Sequence, residues 1–323
     1  MRARDASAHD NSSLGHPSGA GLAPGSRSAL VPTGEQIDVQ DREVCMENST
    51  GQLAVVTGAS SGIGFELAKL FAEHGYDLVI VAEDSRINSA AETLRSLGPI
   101  VESVQADLAT REGVERLWQR VQRTGRPVDA IAINAGVGVG GPFVDNDLED
   151  EINLINLNVT GAVHLAKHAV RQMSECGEGR ILITSSIAAE MPAPFEAVYG
   201  ASKAFLLSFA EALRNELKDT RITVTALQPG PTDTKFFARA GMLDTKVGAD
   251  KKDDPADVAR DGFEALMAGK DHVVAGSFKN KVQSTMAQVT PDKVTAEMHR
   301  KLSEPGSASK VRDRGREANA ENR

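Results

Sequence analysis

Apolar positions between about residues 50 and 300 fall into short runs, bounded by Gly, Pro or Asp, that alternate with longer stretches of helical period. The runs at 53–57, 78–81, 100–104, 128–134, 180–185, 222–228 and 272–275 are rich in Val, Ile and Leu, which predicts short strands buried on both faces. Between them the spacing predicts helices at 62–75, 86–97, 110–124, 147–173, 197–219 and 255–269, then a helical C-terminal piece at 277–302. Strands and helices in this alternation stack as βαβ units, so the expected fold class is α/β: a doubly wound, Rossmann-type parallel sheet of about seven strands in a single domain. No internal repeat interrupts it, and no run of 18 apolar residues predicts a membrane span.

Both ends of the chain lose this pattern. Residues 1–45 are rich in Ser, Gly, Pro, Ala and Asp without either period, which predicts a disordered and dispensable tail. Arg2 and Arg4 lead into Asp5, Ser7 and His9 rather than an apolar run, and Arg2, Arg4, Arg27 and Arg42 face six acids, so neither a secretory nor a mitochondrial leader is expected. Met46 then reads as a candidate start. The expected division is a tail at 1–45, the main folded domain at 46–276, a helical extension at 277–302 and a disordered tail at 303–323. Only two cysteines occur, Cys45 and Cys176, which fits a reducing compartment and a cytoplasmic location. The formal charge of -9 opposes binding to a phosphate backbone, so no nucleic-acid partner is expected.

The first strand runs into Gly58-Ala59-Ser60-Ser61-Gly62-Ile63-Gly64 and then a helix. Glycines at such a turn let backbone approach a dinucleotide pyrophosphate, whose charge meets the free N–H groups of the helix start. Structural tight turns use the same residues. Glu83 ends the second strand 19 positions after Gly64, close to the spacing at which an acid binds the adenosine ribose, although a solvated loop acid would look alike.

Tyr199 and Lys203 are four apart on a predicted helix, so their side chains share one face. A phenol needs a shift of about 3 units, or about 4 kcal/mol, to be half ionised at neutral pH, and a neighbouring cation supplies about 1 to 3 of them. Lys203 is therefore expected to provide most of that shift and a positively charged nicotinamide the rest. Tyr199 would then act as base in alcohol oxidation or as acid in carbonyl reduction. An exposed Tyr/Lys pair is the plain alternative. Ser185 and Ser186 both end the fifth predicted strand, where doubly wound folds hold ligands.

The stretch TGASSGIG (57–64) resembles the cofactor motif of the short-chain dehydrogenase/reductase family, and further family marks follow in order: Asp107, Asn134-Ala135-Gly136, Asn158, Ser186, Tyr199, Lys203, and Pro229-Gly230 with Thr234. The resemblance covers residues 50 to 240. It implies a catalytic set of Asn158, Ser186, Tyr199 and Lys203, with Ser186 chosen over Ser185 because the family's serine lies thirteen before the tyrosine. It further implies that Asn158 keeps a water that links Lys203 to solvent, that Ser186 and Tyr199 hold the substrate oxygen, that Asp107 holds the adenine, that Asn134 braces the strand beside the cofactor, and that Thr234 contacts the nicotinamide side. The implied cofactor contacts are Gly58, Ser60, Ser61, Gly62, Ile63, Gly64, Glu83, Asp107, Leu108, Asn134, Ala135, Gly136, Tyr199, Lys203, Pro229, Gly230, Thr232 and Thr234.

The expected activity is NAD(P)-dependent hydride transfer between nicotinamide and a secondary alcohol or carbonyl, by a homodimer or homotetramer on a small-molecule substrate. NAD is expected to be preferred and NADP possible, because Glu83, and Asp84 after it, would face the 2'-phosphate of NADP as like charges, while Arg86 could fold back to offset them. A nucleotide-sensing protein without turnover is opposed by the complete catalytic set. An epimerase or dehydratase is opposed by the short segment left after Thr234. Glu190, Met191, Pro192, Pro194 and Phe195 are expected to border the substrate pocket, and Phe236, Phe237 and Met242 to form an apolar lid or simply core. The extension at 277–302 reads as a flap, an oligomer contact or a weak membrane-surface helix. His164 and His168 have a spacing that suits metal, but no third ligand accompanies them, so the pair reads as a surface face and no metal is expected.

Overall fold

The structure, a computed structural model, describes residues 51–277 and 290–308, together with 280, 282, 284, 286 and 287. The expected tail at 1–45 lies outside the described residues, as does the expected tail at 303–323 from residue 309 on, whereas residues 303–308 are ordered against the domain, the Lys246 N–H donating to Ser307 Oγ at 2.8 Å. In chain order the elements are β1 (Leu53–Thr57), α1 (Gly62–Glu73), β2 (Asp77–Ala82), α2 (Arg86–Arg95), β3 (Val101–Gln105), α3 (Arg111–Arg123), β4 (Ala130–Ile133), α4 (Leu148–Ile155), a π-helical turn (Asn156–Gly161), α5 (Ala162–Cys176), β5 (Glu178–Thr184), a 3-10 turn (Ile187–Glu190), α6 (Ala197–Glu216), β6 (Arg221–Pro229), α7 (Phe236–Arg239), α8 (Lys246–Ala249), α9 (Pro255–Met267), β7 (His272–Ala275) and α10 (Asp292–Ser303).

All seven strands run parallel in one sheet of order 3-2-1-4-5-6-7. Alternate residues of each strand serve opposite faces: Leu53 and Val55 join the core under α3, α5 and α6, while Ala54 and Val56 join the one under α1, α2 and α9. Burial on both sides is why these strands read as continuous apolar runs. Val55 pairs with Val79 of β2 and with Ile131 of β4, so β1 is the strand on whose two sides the order reverses. Connections leave the C-terminal ends of β1 and β4 in opposite directions, and a crevice opens between them.

Helix ends follow local chemistry. Thr110 accepts the Gly113 N–H at 3.0 Å to start α3, Asp254 accepts the Ala256 N–H at 2.8 Å with Pro255 in the first turn of α9, and Gly177 at φ +81° ends α5. The helix expected at 147–173 is in fact α4, the π turn and α5 in succession. A π turn carries an extra residue, which here coincides with Asn158, fully buried and bonded sideways to Val137 and Ser202 rather than along the helix. At the C-terminus the described chain continues past α10, and the Gly306 N–H donates to Asp244 Oδ2 at 2.8 Å. No helix among the described residues is long and apolar enough to cross a membrane.

Candidate active site

The residues after β1, β2, β4, β5 and β6 line one open cleft of about 340 Å³, at the C-terminal edge of the sheet. Its nucleotide end is the glycine turn. Gly58 and Gly62 have φ of +69° and +61°, which side chains resist, and the Gly58 N–H donates to Val81 O at 2.9 Å. A Cβ on Gly64 would collide with Gly58 O and lie 2.6 Å from Asn134 Nδ2. The α1 start carries no acidic residue in its first turn and no side-chain cap from Ser61, so its N–H groups and positive dipole end stay available to an anion. Asn134 ties β4 to β1, donating from Nδ2 to Thr57 O at 3.1 Å and accepting the Thr184 hydroxyl at 3.2 Å. These features fit a dinucleotide.

Farther along, Ser60 donates to Asp84 Oδ2 at 3.0 Å, and Arg86 forks onto Asp84 through Nε at 2.6 Å and a terminal nitrogen at 2.9 Å. Hydrogen bonding from Arg86 and Ser60 holds the Asp84 carboxyl down at about 2. Arg86 is thus committed to Asp84. Arg239 of α7, which the sequence pattern did not single out, lies 3.7 Å from both Glu83 and Asp84. Asp107 lines the cleft and uses Oδ1 to accept the Ala109 N–H at 2.9 Å. At the opposite wall, Thr234 accepts the Phe236 N–H at 3.2 Å, and Thr232 donates to Gly230 O at 2.9 Å.

Lys203 and Tyr199 extend from α6 into the same cleft, with Lys203 Nζ 5.7 Å from the Tyr199 ring centroid and donating to Thr184 O at 3.0 Å. Ser185 is spent on structure, its hydroxyl donating to Lys203 O at 2.7 Å, whereas Ser186 accepts the Ala188 N–H at 3.1 Å and has its hydroxyl against the Tyr199 phenol. Asn158 donates to Val137 O at 2.9 Å and Ser202 Oγ at 3.1 Å and accepts the Val137 N–H at 3.0 Å. Ser202 in turn donates to Tyr199 O at 2.7 Å. A Cβ on Gly136 would sit 3.2 Å from Asn158 Oδ1 and 3.3 Å from Lys203 Nζ, so the glycine keeps open the space between those two atoms.

The electrostatics depart from the expectation that Lys203 draws the phenol toward neutrality. Burial pushes the Tyr199 phenol well above its ordinary value, the Glu196 carboxyl adds to the rise, and the Ser186 hydroxyl opposes it. Burial also brings the Lys203 amine down to about 8. Lys203 is buried and Tyr199 partly so, which disfavours the charged form of each. Tyr199 is therefore a protonated phenol, ready to donate.

Glu196 lay outside the sequence reading. It caps the start of α6 three residues before Tyr199, is buried, and accepts the Ser303 hydroxyl at 2.9 Å with His299 Nε2 3.5 Å away. His299, Leu302 and Ser303 all come from α10, which makes this extension a wall of the cleft. Their helical spacing of three and four was the signal available in the sequence. Of the five residues expected to border the pocket between Ser186 and Tyr199, Met191 does so. Glu190 instead accepts from Gln228 at 2.7 Å and Ser284 at 2.6 Å, while Phe195, at φ +66°, lies under Arg300. Phe236 reaches Tyr199 with ring centroids 5.0 Å apart, Phe237 also lines the cleft, and Met242 is core.

Burial pushes the Glu196 carboxyl up to about 7, with Ser303 opposing. A carboxyl raised on folding binds its proton more tightly in the folded chain, so its stabilising share is complete below the ordinary carboxylate range and is lost as pH rises toward 7. Glu196→Gln should remove that loss, raising stability at pH 8 by an amount on the order of 3 kcal/mol at most while changing little at pH 4. Denaturant unfolding at the two pH values checks it, and an equal effect at both would show that folding does not raise the Glu196 pKa.

The family model described as short chain dehydrogenase matches residues 52–242 of this chain. Oxidoreductase UcpA of Salmonella typhimurium strain LT2 is 31% identical over 222 residues, 68% of this chain and 82% of that protein. A short-chain dehydrogenase from Sphingobium yanoikuyae, solved in complex with NADPH, matches with a TM-score of 0.65 and 31% identity, covering 69% of this chain and 87% of its own. A 3-oxoacyl-[acyl-carrier protein] reductase from Brucella melitensis, solved in complex with NAD, matches with a TM-score of 0.62 and 26% identity, covering 72% of this chain and 99% of its own.

Proposed function

The chain belongs to the short-chain dehydrogenase family and is an NAD(P)-dependent oxidoreductase, and from that premise we propose that it interconverts a secondary alcohol and its carbonyl with Tyr199 as the proton-transferring group. The observation that carries this reading is the convergence of Ser186, Tyr199 and Lys203 in one cleft with the glycine turn. When bound, the nicotinamide supplies or takes the hydride. In the reducing direction, Tyr199 hands its proton to the substrate oxygen and the Ser186 hydroxyl donates a hydrogen bond to the same oxygen. Lys203 then stabilises the phenolate, and the gap over Gly136 gives a water room to return a proton between Lys203 and Asn158 Oδ1, which keeps a free lone pair. The substrate end combines Met191, Phe236 and Leu302 with a Glu196 that is half protonated near neutrality, so it suits an uncharged, largely apolar substrate. Screening the purified chain with NAD and NADP against secondary alcohols, steroids, polyols and ketones tests the reading. Cofactor binding with no turnover across the panel would favour a sensing role instead.

NAD is the proposed preference. Asp84 stays anionic at any physiological pH and stands beside Glu83, so a 2'-phosphate meets two carboxylates, and Arg86 is already engaged. Arg239 is the cation that could be recruited. Glu83→Arg should shift the ratio of kcat/KM for NAD over NADP toward NADP by at least tenfold. An unchanged ratio would mean that Glu83 does not read the ribose.

A homodimer or homotetramer in the cytoplasm completes the proposal. Leu148, Ile152 and Ile155 follow helical spacing on α4 and are 65%, 40% and 42% exposed, and the neighbouring Val144 is 87% exposed. A monomer rarely leaves such an apolar stripe bare. Leu148→Glu should lower the mass measured by light scattering; a wild-type chain already monomeric would refute the assembly.

A further inference from the structure

We infer that Glu115, His164 and His168 form a zinc-type divalent metal site between α3 and α5, independent of the oxidoreductase cleft. The two histidines are one turn apart on α5, so both imidazoles leave the same helix face. Packing supplies the third ligand that the sequence spacing lacked. Glu115 of α3 brings Oε1 to 2.9 Å from His164 Nε2 and 3.4 Å from His168 Nε2, and the three ligand atoms lie within 4.8 Å of one another. Two imidazole nitrogens and a carboxylate oxygen are the donor set of three-ligand zinc sites, in which a water takes the fourth position. With bonds of about 2.0 to 2.2 Å, ligand atoms around a tetrahedral ion stand about 3.4 Å apart, which the carboxylate already meets toward His168, while its 2.9 Å to His164 would open by about 0.5 Å on binding.

A half-buried His–Glu hydrogen bond would account for His164 but leaves His168 unexplained. His168 Nε2 is shut off from solvent, and its one facing acceptor among the described residues is the Glu115 Oε1 3.4 Å away that His164 approaches more closely, so this nitrogen is only weakly satisfied. Its ring is held by stacking, 4.9 Å from Trp118 and 5.0 Å from His164 between centroids. The side chains of Glu115, His164 and His168 are 36%, 26% and 22% exposed, which leaves an ion a way in from solvent. A bound ion would clasp α3 to α5, the helix that continues back through the π turn to Asn158.

Trp118 is the only tryptophan in the chain, and its stacking on His168 makes its fluorescence a local reporter. The test is a titration of the full-length, tag-free, chelator-stripped chain with copper(II) chloride, without and with a large excess of zinc chloride. Copper should quench Trp118 saturably at one equivalent, a large excess of zinc should raise the copper concentration needed for half-quenching, and zinc alone should raise the melting temperature. Glu115→Gln and His164→Gln, made separately on this partly exposed face, should each weaken both metals at least tenfold while leaving the apo melting temperature and oxidoreductase turnover close to wild type. Unsaturable quenching, no change in melting temperature with zinc, or unchanged affinity in both variants would overturn the site and leave a hydrogen-bonded cluster only.

Discussion

Tyr199→Phe should lower kcat by about 10² to 10⁴, equivalent to roughly 3 to 5 kcal/mol of transition-state stabilisation, while the dissociation constant for the dinucleotide stays within about threefold of wild type. The phenol is the only donor that the substitution removes. The ring keeps its contact with Phe236 and its position over Lys203, so the walls of the cleft remain. Steady-state turnover together with a fluorescence titration of reduced cofactor separates the two quantities. Retention of more than about a tenth of wild-type kcat would leave less than about 1.4 kcal/mol at stake and remove Tyr199 from the proton transfer. Comparable losses of binding and turnover would instead assign it to holding the dinucleotide.

Gly64→Ala should have the largest effect on the nucleotide end. The added Cβ meets the Gly58 carbonyl oxygen and, at 2.6 Å, the Asn134 amide, and neither can retreat. Gly58 is fixed by its hydrogen bond to Val81 O, and Asn134 by its bonds to Thr57 and Thr184. Overpacking of this kind costs about 1 to 3 kcal/mol and more where backbone must move. The expected result is a lower melting temperature with dinucleotide affinity down at least thirtyfold. Gly75→Ala is the control, because its Cβ would meet nothing within 4 Å although its φ of +82° also disfavours a side chain. An effect of Gly64→Ala no larger than the control's would mean that the turn tolerates a side chain and that close approach is not why glycine stands there.

The strands, the sheet's parallel sense, the glycine turn and the Tyr199/Lys203 face were all legible in the sequence, because each is local. Residues two apart share a strand face, residues four apart share a helix face, and a turn needing positive φ selects glycine whatever surrounds it. Burial on both faces made β1, β2 and β4 apolar runs, and that is visible before any fold is known. Ser185 and Ser186 show where local reading stops. Both lie just past the end of β5, and only the packing of α6 against that end decides which hydroxyl is spent on Lys203 O and which faces the phenol. The same holds for energies. Lys203 and Tyr199 look like a cation lowering a phenol, yet the fold adds burial and the Glu196 carboxyl, both of which raise the phenol instead. Glu196 with His299 and Ser303 spans 107 positions, Arg239 closes on Glu83 across the cleft, and Glu115 meets His164 across 49. Pairings of that separation carry no periodic signature, since the chain between them can vary without changing what meets, and only the folded sheet brings them within reach.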